Sequence, residues 1–229
     1  MKTISIKDLV DFKRRSERSK KNFVTNLKKE EEKSDSVSRM DYWSSGVSAI
    51  SESFKENTLK PLFDKKEKLI GKYDSAIHEQ SKIMYKKNIE IIDTYSEMNS
   101  KQWRPDKNIT FEAVSTSNFV MNVEGIDIKM RPSVIFTFSL GDIKQVGGVW
   151  FVSQKEGFNK NELALFCDAL YRYLKINYSE KYEINNTYCT AVDVLKGSEI
   201  NYQDLLKANA GSILKSALVE MKSLISTQL

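Results

Sequence analysis

The sequence predicts an α/β domain, of the α+β kind, carrying a basic helical arm at its front. Three patterns lead to that expectation. Apolar side chains recur at helical spacing between residues 61 and 98, and from 109 to 152 short runs of Val, Ile, Phe and Thr are punctuated by glycine. Beyond 159 come a helix, a buried strand and a closing helix. A length of 229 residues suits one core of ordinary size with appendages. The expected division is an arm and joint at 1–40 and a single domain at 41–229, its core spanning about 62–225.

The arm is read from Lys13, Arg14, Arg15, Arg18, Lys20 and Lys21, with Leu9, Val10, Phe12, Phe23, Val24 and Leu27 interleaved and Lys28, Lys29 and Lys33 extending the basic run. This is a basic amphipathic helix or helix pair, opened by a Ser5 cap just before Ile6. Two roles fit it. Its cations neutralise the phosphates of a nucleic acid, or they form a solvated face whose apolar stripe packs on the domain or on a partner. The acids Glu30, Glu31 and Glu32 weaken the local positive field and favour the second role. A charged, Ser-rich stretch at 30–39 predicts a flexible joint, after which Tyr42 and Trp43 form an anchoring segment.

Phe63, Ile70, Ile77, Met84, Ile91 and Met98 recur at heptad spacing, with Leu62, Leu69 and Ile83 beside them. Lys66, Gln80, Lys87 and Thr94 occupy the second seam that a coiled coil would need apolar. One or two long helices packed on the body are therefore expected rather than a zipper. His78 falls on this helix as a surface or interface residue. The runs at 109–114, 119–123, 126–130, 134–138 and 149–152, divided by Gly125, Gly141, Gly147 and Gly148, read as an antiparallel meander. Helix 161–178 opens on Asn159 with Glu162 three positions on, the spacing of a capping box. Residues 189–195 form a buried strand with Asp193 as a polar terminus, and 202–225 a last amphipathic helix.

Composition excludes several classes. With 40% apolar, 10% aromatic and 29% charged residues the chain is globular, and its apolar runs are too short to span a membrane. The N-terminus lacks an apolar signal core, so a cytosolic protein without a membrane partner is expected. Cys167 and Cys189 sit in apolar segments as packing residues, and the lone His78 lies far from both, which offers no zinc knuckle. The net charge of +5 implies no partner by itself.

The segments Arg131-Pro132-Ser133-Val134-Ile135-Phe136 and Gly148-Val149-Trp150-Phe151-Val152-Ser153-Gln154-Lys155, followed by a helix and a strand, carry a resemblance. Their order resembles the core of the PD-(D/E)XK nuclease superfamily, the restriction-endonuclease-like fold that includes RecB-type and CRISPR-associated exonucleases. The resemblance covers residues 109–195 and implies a mixed central sheet flanked by helices, with one strand bearing Pro-Asp and the next Asp/Glu-x-Lys. Pro132 and Lys155 match that motif. Ser133 and Ser153 stand where its two acids belong, and the following helix offers Tyr171 and Tyr173 without the glutamine of the RecB-like branch.

The resemblance implies phosphodiester hydrolysis by Mg²⁺ held on carboxylates, which position water and offset charge on the phosphate. Neutral serine hydroxyls do not replace that pair. The first expectation is therefore a catalytically degenerate domain without cofactor that binds nucleic acid or a protein partner in a bacterial or phage setting, mobile-element or defence related. Lys155 and the arm cations would supply phosphate contacts, and the arm or the long helix would dock a protein. The competing expectation is an active Mg²⁺-dependent nuclease with migrated acids, Asp168 replacing the second and Asp142, Asp127 or Glu112 the first, beside Lys155. A third is a structural or assembly protein with no nucleic-acid role.

Overall fold

In the computed structural model, which describes residues 3–28, 42–106, 108–113, 120–209 and 211–226, the chain opens on a short strand and two helices. These are β1 (Ile4–Ser5), α1 (Ile6–Arg14) and α2 (Glu17–Lys28). Ser5 caps α1: its hydroxyl accepts the Asp8 N–H at 3.1 Å while the Asp8 carboxylate accepts the Ser5 N–H at 2.7 Å. The arm does not stand apart from the body. Leu9, Val10, Phe12 and Val24 are fully buried in one hydrophobic cluster with Leu163, Leu170, Leu218 and Met221. Each such side chain contributes about 1.5–3 kcal/mol on burial, so the stripe read as an arm is a core face. Lys29, Lys33 and the joint expected at 30–39 lie outside the described residues.

Three helices follow, α3 (Ser44–Glu56), α4 (Lys60–Ser75) and α5 (Glu79–Glu97), closed by a 3-10 turn (Ser100–Trp103). The periodic stretch at 61–98 is thus two helices, because Ala76 and His78 are extended between them. Leu62, Leu69, Ile91 and Ile92 face inward. Asn88 is buried among them and fully used: it accepts the Gly46 N–H at 2.7 Å and donates to the carbonyls of Tyr42 and Met84 at 2.8 Å. Every residue from 70 to 87 is exposed or half-buried, so the tip of the α4–α5 hairpin projects from the core.

The extended region forms two sheets rather than one meander. β3 (Val120–Val123) and β4 (Ile126–Lys129) make a hairpin that β1 joins, in the order β1-β4-β3. The main sheet has the order β2-β5-β6-β7-β8, built from β2 (Thr110–Glu112), β5 (Val134–Leu140), β6 (Ile143–Val152), β7 (Glu183–Asp193) and β8 (Ser198–Asn201). All its neighbours are antiparallel except β6 and β7, which run parallel because helix α6 (Lys160–Tyr178) carries the chain back between them. The last helical stretch is divided into α7 (Tyr202–Lys207) and α8 (Ile213–Ser226).

Alternate residues of the central strands serve two cores, as the period of two requires. Ile135, Val146, Trp150 and Ala191 join the cluster of α1, α6 and α8, whereas Phe136, Val149, Phe151 and Val192 join that of α3, α4 and α5. On the latter side Phe151 meets Tyr95, Phe54 and Trp103 edge-on at 5.6, 5.7 and 6.1 Å. The molecule is therefore a mixed α/β structure with helices on both faces of a mixed sheet. Among the described residues, no helix is long and apolar enough to cross a membrane.

Candidate functional site

Open sheets with parallel strands bind ligands beyond the carboxyl ends of those strands, and the motif residues gather there. Ser133, at the entry to β5, lies against the end of β6. Its hydroxyl accepts the Phe151 N–H at 2.9 Å, and its own N–H donates to the Val149 carbonyl at 3.2 Å. Ser133 thus closes the β5–β6 ladder with its side chain. Ser153 is 5% exposed, and its buried hydroxyl has no hydrogen-bond partner among the described residues. Lys155 is exposed in the turn beyond β6, which Gly157 closes by donating its N–H to the Gln154 carbonyl at 2.8 Å with φ at 64°.

Helix α1 lies over this end of the sheet. Gln154 donates to Asp11 at 3.1 Å. Arg14 grips Glu162 with two bonds, Nε to Oε1 at 2.6 Å and a terminal nitrogen to Oε2 at 2.7 Å, and the same nitrogen donates to the Gly157 carbonyl at 2.8 Å. Glu162 also accepts the Asn159 N–H at 2.8 Å, which completes the capping box that opens α6. The Arg14 hydrogen bond holds the Glu162 carboxyl below its ordinary value, against the opposing effect of burial.

The acids that could serve chemistry are held elsewhere or by backbone. Asp193, fully buried at the end of β7, accepts the N–H groups of Phe158 at 2.6 Å, Leu195 at 2.9 Å and Lys196 at 3.3 Å. Asp168, 3% exposed on α6, accepts from Arg172 at 3.1 Å, Ser212 at 3.1 Å and the Leu214 N–H at 2.9 Å, so it caps α8 from a neighbouring helix. Asp142 sits in the β5–β6 turn, at the opposite end of the 10-residue β6 from Lys155. That separates the two by roughly 30 Å at ~3.3 Å per residue. Asp127 is in the three-stranded sheet, bonded by Asn122 at 2.7 Å, and Glu112 on β2 accepts from Thr137 at 3.2 Å.

Mg²⁺ demands several hard, charged oxygens in near-octahedral array. The residues that the nuclease resemblance would recruit do not fit it: Asp168 faces α8, Asp142 and Asp127 are remote, and Ser133 is part of the strand ladder. Among the described residues, no group of three or more His, Cys, Asp or Glu side chains is placed to hold a metal. Cys167 and Cys189 are both buried, and burial, aided by the neighbouring Cys167, pushes the Cys189 thiol well up. His78 is exposed at the start of α5.

Three basic residues of the first two helices, Lys13, Arg14 and Lys20, are answered by acids of this chain. Lys13 and Lys20 converge on Glu220 of α8 at 2.6 and 2.7 Å, Lys20 also pairs with Glu17 at 2.8 Å, and Arg15 stacks over Phe23 at 4.9 Å. Arg18 and Lys21 are exposed on α2. Beside these pairs α1, α6 and α8 border a cleft of about 690 Å³, lined by apolar Leu165, Ile213 and Ala217 and by Lys13, Arg14, Glu162 and Glu220. Nothing in the sequence marks Asp11 or Glu220 as site residues, and the spacing marks Glu162 only as a cap. The partners of Lys13 and Arg14 lie 207 and 148 residues away, beyond the reach of any spacing rule.

Compared with known proteins, the chain matches no family model, no curated protein and no solved structure.

Proposed function

We propose that this chain is a non-catalytic binding module on a restriction-endonuclease-like scaffold, acting through a protein partner in a bacterial or phage cytosol. One observation carries the reading: of the three buried carboxylates on α6 and β7, Asp168 and Asp193 are held by backbone N–H groups and helix-capping contacts and Glu162 by Arg14 and its own capping box. The strand arrangement supports the scaffold. β2, β5 and β6 run antiparallel in order, and α6 returns the chain to β7, parallel beside β6, which is compatible with the strand, helix, strand order and the mixed sheet that the resemblance implies.

A protein is favoured over nucleic acid because Lys13, Arg14 and Lys20 already pair with Glu220 and Glu162. A cation neutralised within its own chain displaces few counterions from a phosphate backbone. The test is incubation with single- and double-stranded DNA and RNA in Mg²⁺ or Mn²⁺, followed by a salt titration of binding. Intact substrates and shallow salt dependence are expected. Cleavage that needs metal and disappears in the exposed-site variant Lys155→Ala restores the enzyme reading, and tight binding lost steeply with salt restores the nucleic-acid one.

A further inference from the structure

We propose that the chain associates with a second copy of itself through the outer face of α4, packed antiparallel on the same helix. The inference deepens the protein-binding reading and rests on it. Leu59, Phe63, Ile70, Tyr73 and Ile77 are 41%, 61%, 43%, 36% and 92% exposed, although each is large and apolar or aromatic. Positions 59, 63, 66, 70 and 73 advance by alternate steps of four and three, which is the a/d seam of a helix that meets another helix. Leu62 and Leu69, which pack inward, form a different stripe.

Lys66 is the one charged residue in that seam, and the structure draws its charge aside. Its ammonium lies 2.6 Å from Asp93 on α5, so the methylene stem rather than the charge is left along the seam. Ile77, just past the helix end, extends the apolar surface to the hairpin tip.

The pattern fits a second copy because it reads the same in both directions. In an antiparallel pair, Phe63 faces Tyr73 of the second copy, Lys66 faces Ile70, and Leu59 reaches towards Ile77. The exposed flank of the seam carries Lys60, Glu67 and Asp74 at heptad spacing. Antiparallel packing sets Lys60 against Asp74 of the other copy at both ends and Glu67 against itself at the centre, two attractive contacts against one repulsive. Taking about 200 Å² for a large side chain, the exposed fractions leave roughly 550 Å² on each copy. Roughly 1,100 Å² over both is where specific interfaces begin.

Sedimentation velocity of the full chain from about 1 to 100 µM tests this, and a dissociation constant in the micromolar range is expected. Ile70→Glu should raise that constant at least about tenfold, with unchanged circular dichroism and melting temperature because the site is exposed. Lys60→Glu should weaken the dimer, and Lys60→Glu with Asp74→Lys should restore it. Glu67→Cys should give a disulfide-linked dimer on mild oxidation, since Cys167 and Cys189 are buried. A wild-type monomer throughout the range overturns the proposal, as does a dimer indifferent to Ile70→Glu or not rescued by the double reversal. A monomer that leaves nucleic acids uncut and unbound removes the second copy alone, whereas metal-dependent cleavage removes the protein-binding reading itself.

Discussion

Replacing Asp193 by alanine separates a structural carboxylate from a chemical one. The side chain is fully buried and accepts three backbone N–H groups, from Phe158, Leu195 and Lys196. Each bond to a charged acceptor is worth about 1.5–3 kcal/mol, and a buried donor left without a partner costs a similar amount. The three donors share one carboxylate and relax together, so a loss of about 3–5 kcal/mol is expected rather than their sum. For a chain of this size that lowers the melting temperature by roughly 6–20 °C. Urea unfolding checks it, with the midpoint moved and the slope retained. Asp193→Asn keeps one acceptor and should lose about half as much. A cost under about 1 kcal/mol, joined to loss of a binding or cleavage activity, would refute the reasoning, because the carboxylate would then face a ligand rather than its own backbone.

Arg14→Met should destabilise by about 2–4 kcal/mol at neutral pH, because it strands the Glu162 carboxylate in a largely buried position. The pH profile gives a second reading. Glu162 is depressed by Arg14, so its stabilisation is complete above the ordinary carboxyl value of 4.5 and is lost as pH falls through the lowered one; in Arg14→Met that acid-side loss should shrink, as urea melts from pH 7 downward would show. Gly147→Ala should cost about 1–3 kcal/mol, since its Cβ would lie 2.8 Å from the Tyr188 carbonyl oxygen. Gly71→Ala, inside α4 with no described atom within 4 Å of the new methyl, should stabilise by about 0.5–1 kcal/mol, and thermal melts of the two variants check both signs.

Signals in the sequence are legible where the chemistry is local. The Ser5 and Asn159 caps each bond a side chain to a backbone three residues away, so spacing alone finds them. The sequence pattern marks only the last residues of β6, 149–152, because Gly147 and Gly148 look like punctuation. They are instead points of close approach, with Ile135 Cδ1 2.8 Å from a Cβ built on Gly148. The single expected meander gives way to two sheets for a related reason: alternation marks strands but not which edge each one joins, and β4 pairs with β1 from the far N-terminus. The basic stripe is legible in half: its apolar side, expected to pack on the domain, does so, whereas the partners of its cations leave no local signal. Its apolar half is core, and Glu162 and Glu220, which decide the fate of its cations, arrive through tertiary packing alone.

Restoring the two acids of the motif tests whether the sheet end lacks only those residues. A carboxylate at 133 could still accept the Phe151 N–H that the serine hydroxyl accepts at 2.9 Å. At 153 the residue is 5% exposed and its oxygen has no donor among the described residues, so an anion there would be buried unpaired at a cost of about 3–5 kcal/mol. Nearby polar groups offer little help, because Arg14 is held by Glu162 and Gln154 by Asp11. Ser133→Asp with Ser153→Glu is therefore expected to melt well below wild type and to gain nothing from millimolar Mg²⁺, whereas a bound ion would raise the melting temperature by mass action. Metal-dependent stabilisation of the double variant would mean that α1 yields the sheet end, and that the obstacle to a metal site is the two serines rather than the helix packed above them.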